Sequence, residues 1–271
     1  MKRFLIAGVL ALSVAIGGLW AQAKQPQPKS QKELDALQAL FGAQDPDSRI
    51  KAADELITTF ADTDFKAIAI YMKAFSYEQK GDQDKMIIFA EQTVEADPKH
   101  YMAMLMIARG LALRTREHDL DKEERLSKAE KFAKQAMELV KTAEKPNPQV
   151  TDEQWVGAKK DFESQGHESL GIIAQARKKY DAAVAEYKLA YEGGSQPEPA
   201  LLVRMGQAYN LGGKHDEAIV ELNKVLGDEK ASPQIKQFAQ AERVRASQAK
   251  NAGAPKPAAP PAPPQVEVKK Q

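Results

Sequence analysis

The side chains able to do chemistry in this sequence are scattered rather than grouped. Four histidines occur, His100, His118, His167 and His215, and no two of them are three or four residues apart. A pair of metal ligands on one helix face needs that spacing, and no HExxH is present, so zinc-hydrolase chemistry has no starting point. His167 and His215 each read as a packing or solvated residue. Asp119, Asp121, Glu123 and Glu130 fall at the offsets of a calcium loop, but Glu124 stands at the sixth position, where the sharp turn needs glycine. That stretch reads as a charged helix face. Gly212-Gly213-Lys214 is followed by His215 and lacks the full GxxxxGK[ST] pattern, so it reads as a turn and not a phosphate loop. Ser169 and Ser195 sit in no nucleophile elbow. The chain has no cysteine, which removes thiolate nucleophiles, disulfides and cysteine-based metal sites together. No catalytic constellation results, and the expectation is a protein that is not an enzyme and uses no metal or cofactor.

What must position any functional surface is therefore the larger question. Over 271 residues the net charge is +1, which gives no basic footprint for nucleic acid. Aromatics make up 7 %, while Ala, Glu, Lys and Gln are plentiful, a composition that suits helices. Lys2 and Arg3 precede the apolar run FLIAGVLALSVAIGGLW, and Ala21-Gln22-Ala23 follows. These are the three parts of a secretory signal peptide, with cleavage expected after Ala23. No cysteine follows that could carry a lipid, and no later segment is apolar enough to span a bilayer, so a periplasmic or secreted chain without a membrane partner is expected. Residues 24–30 read as a linker. From Asn251 to Gln271 the sequence NAGAPKPAAPPAPPQVEVKKQ is rich in Pro and Ala and reads as a disordered tail.

Between these ends a pattern recurs. Gly206 is followed by Tyr209, Ala218, Leu222 and Val225; thirty-five residues earlier Gly171 is followed by Ala183, Tyr187 and Ala190. Ala74, Tyr77, Gly81, Met86, Ala90 and Asp97-Pro98 fit the same template, and Ala129, Phe132 and Ala136 carry its second half. Small residues at fixed points let two antiparallel helices approach, and a bulky group facing them fills the space. One such hairpin cannot bury its apolar faces alone, so copies must stack.

The period and the residues resemble the tetratricopeptide repeat family, most closely over Ser169–Gly194 and Arg204–Leu226, and also over Ala69–Pro98. The family tryptophan is absent; Leu202 and His167 stand in its place. The resemblance implies an all-α fold, a right-handed superhelical solenoid of four to five antiparallel helix hairpins over residues 31–230, with a first copy around Arg49–Phe60. A capping helix is expected over 231–250, with Ile235, Phe238, Ala241 and Val244 as its apolar stripe. The segment 114–155 is irregular: the spacing from Ala108 to Ala129 is nine residues longer than in the other copies, and two prolines in Lys145–Trp155 break the chain. Thr151 and Gln154 have the spacing of a capping box and predict a long helix to about Lys178.

The resemblance further implies that the first helix of each hairpin lines a concave face that holds a protein or peptide. The residues offset from the packing positions are Tyr71, Phe75 and Glu78 in the second copy and Met102, Leu105 and Arg109 in the third. The fourth contributes Glu168, Ile172 and Gln175, and the fifth Val203, Gln207 and Asn210. Adaptable methionines in YMAMLMI add to the apolar N-terminal half. The expected function is an exported adaptor or scaffold. Two alternatives stand beside it: an envelope-assembly or secretion accessory tethered by the tail, and a small-solute or enzymatic role in 114–155.

Overall fold

The structure, a computed structural model, describes residues 26–253; the expected signal peptide and residues 254–271 of the tail lie outside the described residues. Among the described residues there are eleven α-helices and no strand. They form five hairpins and a terminal helix: α1 (Gln31–Gly42) with α2 (Pro46–Thr59), α3 (Lys66–Gln79) with α4 (Gln83–Ala96), and α5 (Tyr101–Arg114) with α6 (Lys122–Thr142). Next come α7 (Asp152–Ala176) with α8 (Tyr180–Gly193), α9 (Pro199–Leu211) with α10 (His215–Gly227), and finally α11 (Pro233–Gly253). Each helix packs on the next in sequence, and α5 meets α7 as α9 meets α11, which is the contact pattern of a solenoid. The first hairpin is complete. No helix of the described residues is long and apolar enough to cross a membrane.

Local chemistry starts and stops these helices. Ser30, Asp45 and Asp82 accept from backbone N–H groups of the first turns of α1, α2 and α4. Thr151 and Gln154 form a reciprocal capping box at α7, whose 25 residues make it the longest helix. Three hairpin turns share one hydrogen-bond pattern. Asp82, Lys179 and Lys214 donate to the carbonyls of Tyr77, Ala174 and Tyr209, and the residue before each donates to Glu78, Gln175 and Asn210. This closure demands a left-handed residue, supplied by Gly81 (φ 74°), Lys178 (φ 59°) and Gly213 (φ 76°).

Within hairpins the small positions bring backbones together. A Cβ at Gly171 would stand 2.4 Å from the Tyr187 ring, and one at Gly206 would stand 2.6 Å from Leu222. Both facing side chains are fully buried. The apolar core follows the array as a succession of clusters. One joins Leu37, Leu40, Ala53 and Leu56, another Ala74, Ala90, Ala103 and Ile107, and the largest runs from Ala112 to Ala246.

A second periodicity is ionic. The second residue of the second helix in every hairpin is acidic, and it pairs with a cation at or just past the end of the next first helix. The pairs are Asp47 with Lys80, Asp84 with Arg114, Glu123 with Arg177, Asp181 with Lys214 and Asp216 with Lys250. An acidic group there also complements the helix N-terminus. Each pair is exposed and worth little alone, but the five mark the same register.

The irregular segment divides into a loop over residues 115–121 and extra turns of α6. Arg177 holds it in place, meeting Glu130 at 2.5 Å, Glu123 at 3.0 Å and the Ser127 hydroxyl at 3.1 Å. Lys178 and Lys122 donate to Glu117 and pull its carboxyl down to about 2.

The terminal helix departs from expectation. Phe238 is 54 % exposed, Val244 41 % exposed, and Ala241 also faces outward. The buried face of α11 is Ala239, Glu242 and Ala246, with Ile235 partly covered. Alanines permit the close approach to α9 and α10, whereas a stripe read from apolar bulk points to the opposite side.

Candidate partner-binding groove

Three first helices, α3, α5 and α7, bring one cluster of side chains to a common depression of about 200 Å³. From α3 come Tyr71, Phe75 and Glu78; from α5 come Met102, Leu105, Met106 and Arg109; from α7 come Phe162, Gln165 and Ser169. The spacing of four and three residues along α3 and α5 places each set on one helix face. All six residues expected from the second and third copies are therefore together. Their lining is apolar within and polar at one edge, where Arg109 faces Glu78 at 3.5 Å.

The aromatic wall is braced from behind. His100 caps α5 by accepting the Ala103 N–H at Nδ1, 3.2 Å away, and its ring lies 4.6 Å from the Tyr71 ring, tilted. Burial pushes the imidazole pKa below its ordinary value, with Asp97 opposing, and keeps the ring neutral so that Nδ1 can accept. Tyr71 is held protonated, chiefly by burial and then by Glu78. Its hydroxyl reaches only the Met102 thioether, at 3.8 Å, a weak acceptor. Phe162 closes the other wall, edge-on to Tyr101 at 5.2 Å. Arg49 lies over the Phe75 ring, 5.7 Å from its centre.

The residues expected from the fourth and fifth copies do not join this cluster. Ile172 packs in the core and does not line the depression, whereas Leu105, also buried, forms part of its floor. Glu168 is held by Arg204 at 2.8 Å, a link between α7 and α9. Gln175 accepts from the Tyr187 hydroxyl at 3.4 Å. Asn210 donates to the Glu242 carbonyl at 3.0 Å and so ties α9 to α11. Val203 and Gln207 are half-buried, and Val203 packs against the core.

Phe162, Gln165, Ser169 and Met106 are the lining residues that sequence spacing missed. Met106 is next to the expected Leu105 on α5; for the three residues of α7 the length of that helix is the cause. Its earlier turns, not those set by the regular period, lie beside α5. The signal that could have found them is the apolar–polar spacing of Phe162, Gln165 and Ser169, which forms one face of the helix predicted from Thr151.

The remaining candidates are engaged in structure. Arg125 pairs with Asp121 at 2.6 Å and lies 3.8 Å from Asp119. His167 meets Glu186 at 2.7 Å. No group of three or more metal-ligating side chains comes together among the described residues.

An array of stacked helical hairpins with a depression lined by first helices defines the class, a helical-repeat fold. Residues 67–100 and 200–229 each match the Tetratricopeptide repeat profile. A crystal structure of a thermophilic TPR protein from Thermus thermophilus is similar to this chain, with a TM-score of 0.50 and 16 % identity. The similarity covers 82 % of this chain and 98 % of that one, and at this identity it speaks for the fold alone. No curated protein sequence matches the chain. The two matched segments are thus tetratricopeptide-like repeats within a helical-repeat fold.

Proposed function

We propose that this chain is an exported, non-catalytic adaptor that holds a protein segment or peptide in the depression between α3, α5 and α7. The observation that carries the reading is the convergence of Tyr71, Phe75, Met102 and Leu105 with Phe162 on one concave notch. A rigid, preformed apolar notch binds without the entropy cost of ordering the receptor. Its size suits one bulky apolar side chain as an anchor, with the weakly bonded Tyr71 hydroxyl free to donate to a backbone carbonyl beside it. Export rests on the signal-like first 23 residues.

A photo-crosslinking residue placed at Phe75 in living cells tests the groove. Discrete protein adducts are expected from position 75 and none from Ile88, a half-exposed residue of α4 outside the depression. Equal labelling at both positions, or none at either, overturns the reading. Export is tested separately by N-terminal sequencing of the purified protein, which is expected to begin at Lys24; an intact Met1 terminus refutes it.

A further inference from the structure

The notch between α3, α5 and α7 presents two kinds of surface, and together they define the chemistry that fits it. Its walls are the half-buried rings of Tyr71, Phe75 and Phe162, with the thioethers of Met102 and Met106 beside them. Its polar groups chiefly donate: the Tyr71 hydroxyl, the amide of the exposed Gln165 and the exposed Arg109 guanidinium. The Ser169 hydroxyl is engaged by the Gln165 carbonyl of its own helix, and the acidic group, Glu78, faces Arg109. Aromatic faces beside donors complement a polyproline segment, whose rings lie on the faces and whose carbonyls have no partners within the segment. Such a segment also brings few N–H groups to satisfy, because proline has none.

The densest run of prolines in the chain leaves the array at the matching end. Six prolines lie between positions 255 and 264, and four of the six residues 259–264 are proline. The first helices run in one direction, since Lys250 of α11 pairs with Asp216 as Arg114 of α5 pairs with Asp84. The tail therefore departs from the end of the array at which Glu78 and Arg109 form the polar edge of the notch. These two stand one and five residues before the last residues of α3 and α5. From α11 back through α9 and α7 to α5 are three helix-to-helix steps, about 30 Å at roughly 8–10 Å per step. The eleven residues 254–264 span about 34 Å in polyproline conformation. A tail running back along the first helices thus brings residues 259–264 over α7 and α5. Charge agrees, because Lys256 is the one charged residue from 254 to 264 and Glu78 offsets Arg109 in the notch.

Resting on the groove reading above, we propose that residues 259–264 of the chain's own tail occupy the notch when no partner does. The tail is then an internal competitor that a partner must displace. A tether of this length holds its segment at an effective concentration on the order of 1 mM. With a dissociation constant of about 0.1 mM for the segment itself, the notch is open roughly one time in eleven, and the partner's apparent affinity falls by that factor.

A benzophenone-bearing residue placed at Phe75 of the purified chain, tail intact and irradiated with no other protein present, tests this. The expected product has the mass of one chain and, after proteolysis, joins residue 75 to a peptide within 254–271. Pro260→Ser, Pro261→Ser, Pro263→Ser and Pro264→Ser combined keep the length of the tail and remove its rings. That variant is expected to lose the internal adduct with helical circular dichroism unchanged. In cells it is expected to raise the yield of protein adducts from position 75 about tenfold. A purified chain that joins no tail peptide to position 75 overturns the proposal, and so does an internal adduct that survives the serine variant. An adduct with the mass of two chains overturns it as well, by making a neighbouring copy the occupant. Protein adducts in cells without a tail adduct sink this proposal alone. A serine variant that captures no protein in cells sinks the groove reading, and this proposal with it.

Discussion

Lys178 occupies a position that two other hairpins give to glycine. At φ 59° its Cβ crowds the backbone, a strain that Gly81 and Gly213 avoid. Glu117 accepts from its ammonium and thereby ties the loop of residues 115–121 to the α7–α8 turn. Lys178→Gly is therefore expected to raise the melting temperature, with the loss of an exposed ion pair taking back only part of the gain. Gly81→Ala and Gly213→Ala are expected to cost about 1 kcal/mol each in urea unfolding, because alanine must adopt the left-handed conformation. If the alanine variants are neutral, the turns are not held as described.

His100 makes a second prediction at the residue scale. Its neutral ring caps α5 and braces Tyr71, and burial lowers its pKa below the unfolded value. The unfolded chain then binds the proton more readily, so this contribution to stability is present above the ordinary histidine pKa of about 6.5 and is lost as pH falls below it. The chain is expected to melt at lower temperature at pH 5 than at pH 7. His100→Asn, which keeps a capping acceptor but does not titrate, is expected to flatten that difference. An unchanged slope in the variant would remove His100 from the account.

At the scale of the element, the hairpin depends on the meeting of Gly171 and Tyr187. The ring is fully buried and has no room to retreat from a new Cβ at 2.4 Å. Gly171→Ala is expected to cost about 1–3 kcal/mol by overpacking. Shortening the facing residue in the same chain, Tyr187→Leu, is expected to recover part of the loss. A double-mutant cycle measures this coupling, and strict additivity would show that the two positions do not pack as described. The ionic rungs act differently. They stabilise little, but they repeat the same acidic position at the start of each second helix and so favour one stacking register.

Across the whole molecule, the core is distributed along the array, with no single centre. Each hairpin touches mainly its neighbours, so stability is a sum of local terms and opening can be partial. Leu222→Ala removes a fully buried side chain from α10 and is expected to cost about 2–5 kcal/mol. In native-state hydrogen exchange its effect should concentrate in α9, α10 and α11, while α1 to α4 keep their protection. A uniform loss over all eleven helices would contradict the linear architecture.

The repeat, the helical class and the N-terminal half of the groove were legible because they depend on periodicity. Gly171, Ala183, Gly206 and Ala218 state their packing through size and spacing, and Tyr71, Phe75, Met102 and Leu105 follow from the same count. Tertiary structure decided the rest where the period breaks or where several helices compete for one side chain. The length of α7 moved the groove wall to Phe162, and Arg204 drew Glu168 into an inter-helix bond. The buried face of α11 went to its alanines because close approach to α9 and α10 rewards small side chains over bulky ones. Spacing along a chain fixes which residues share a face; only the packing of neighbouring helices determines which face is covered.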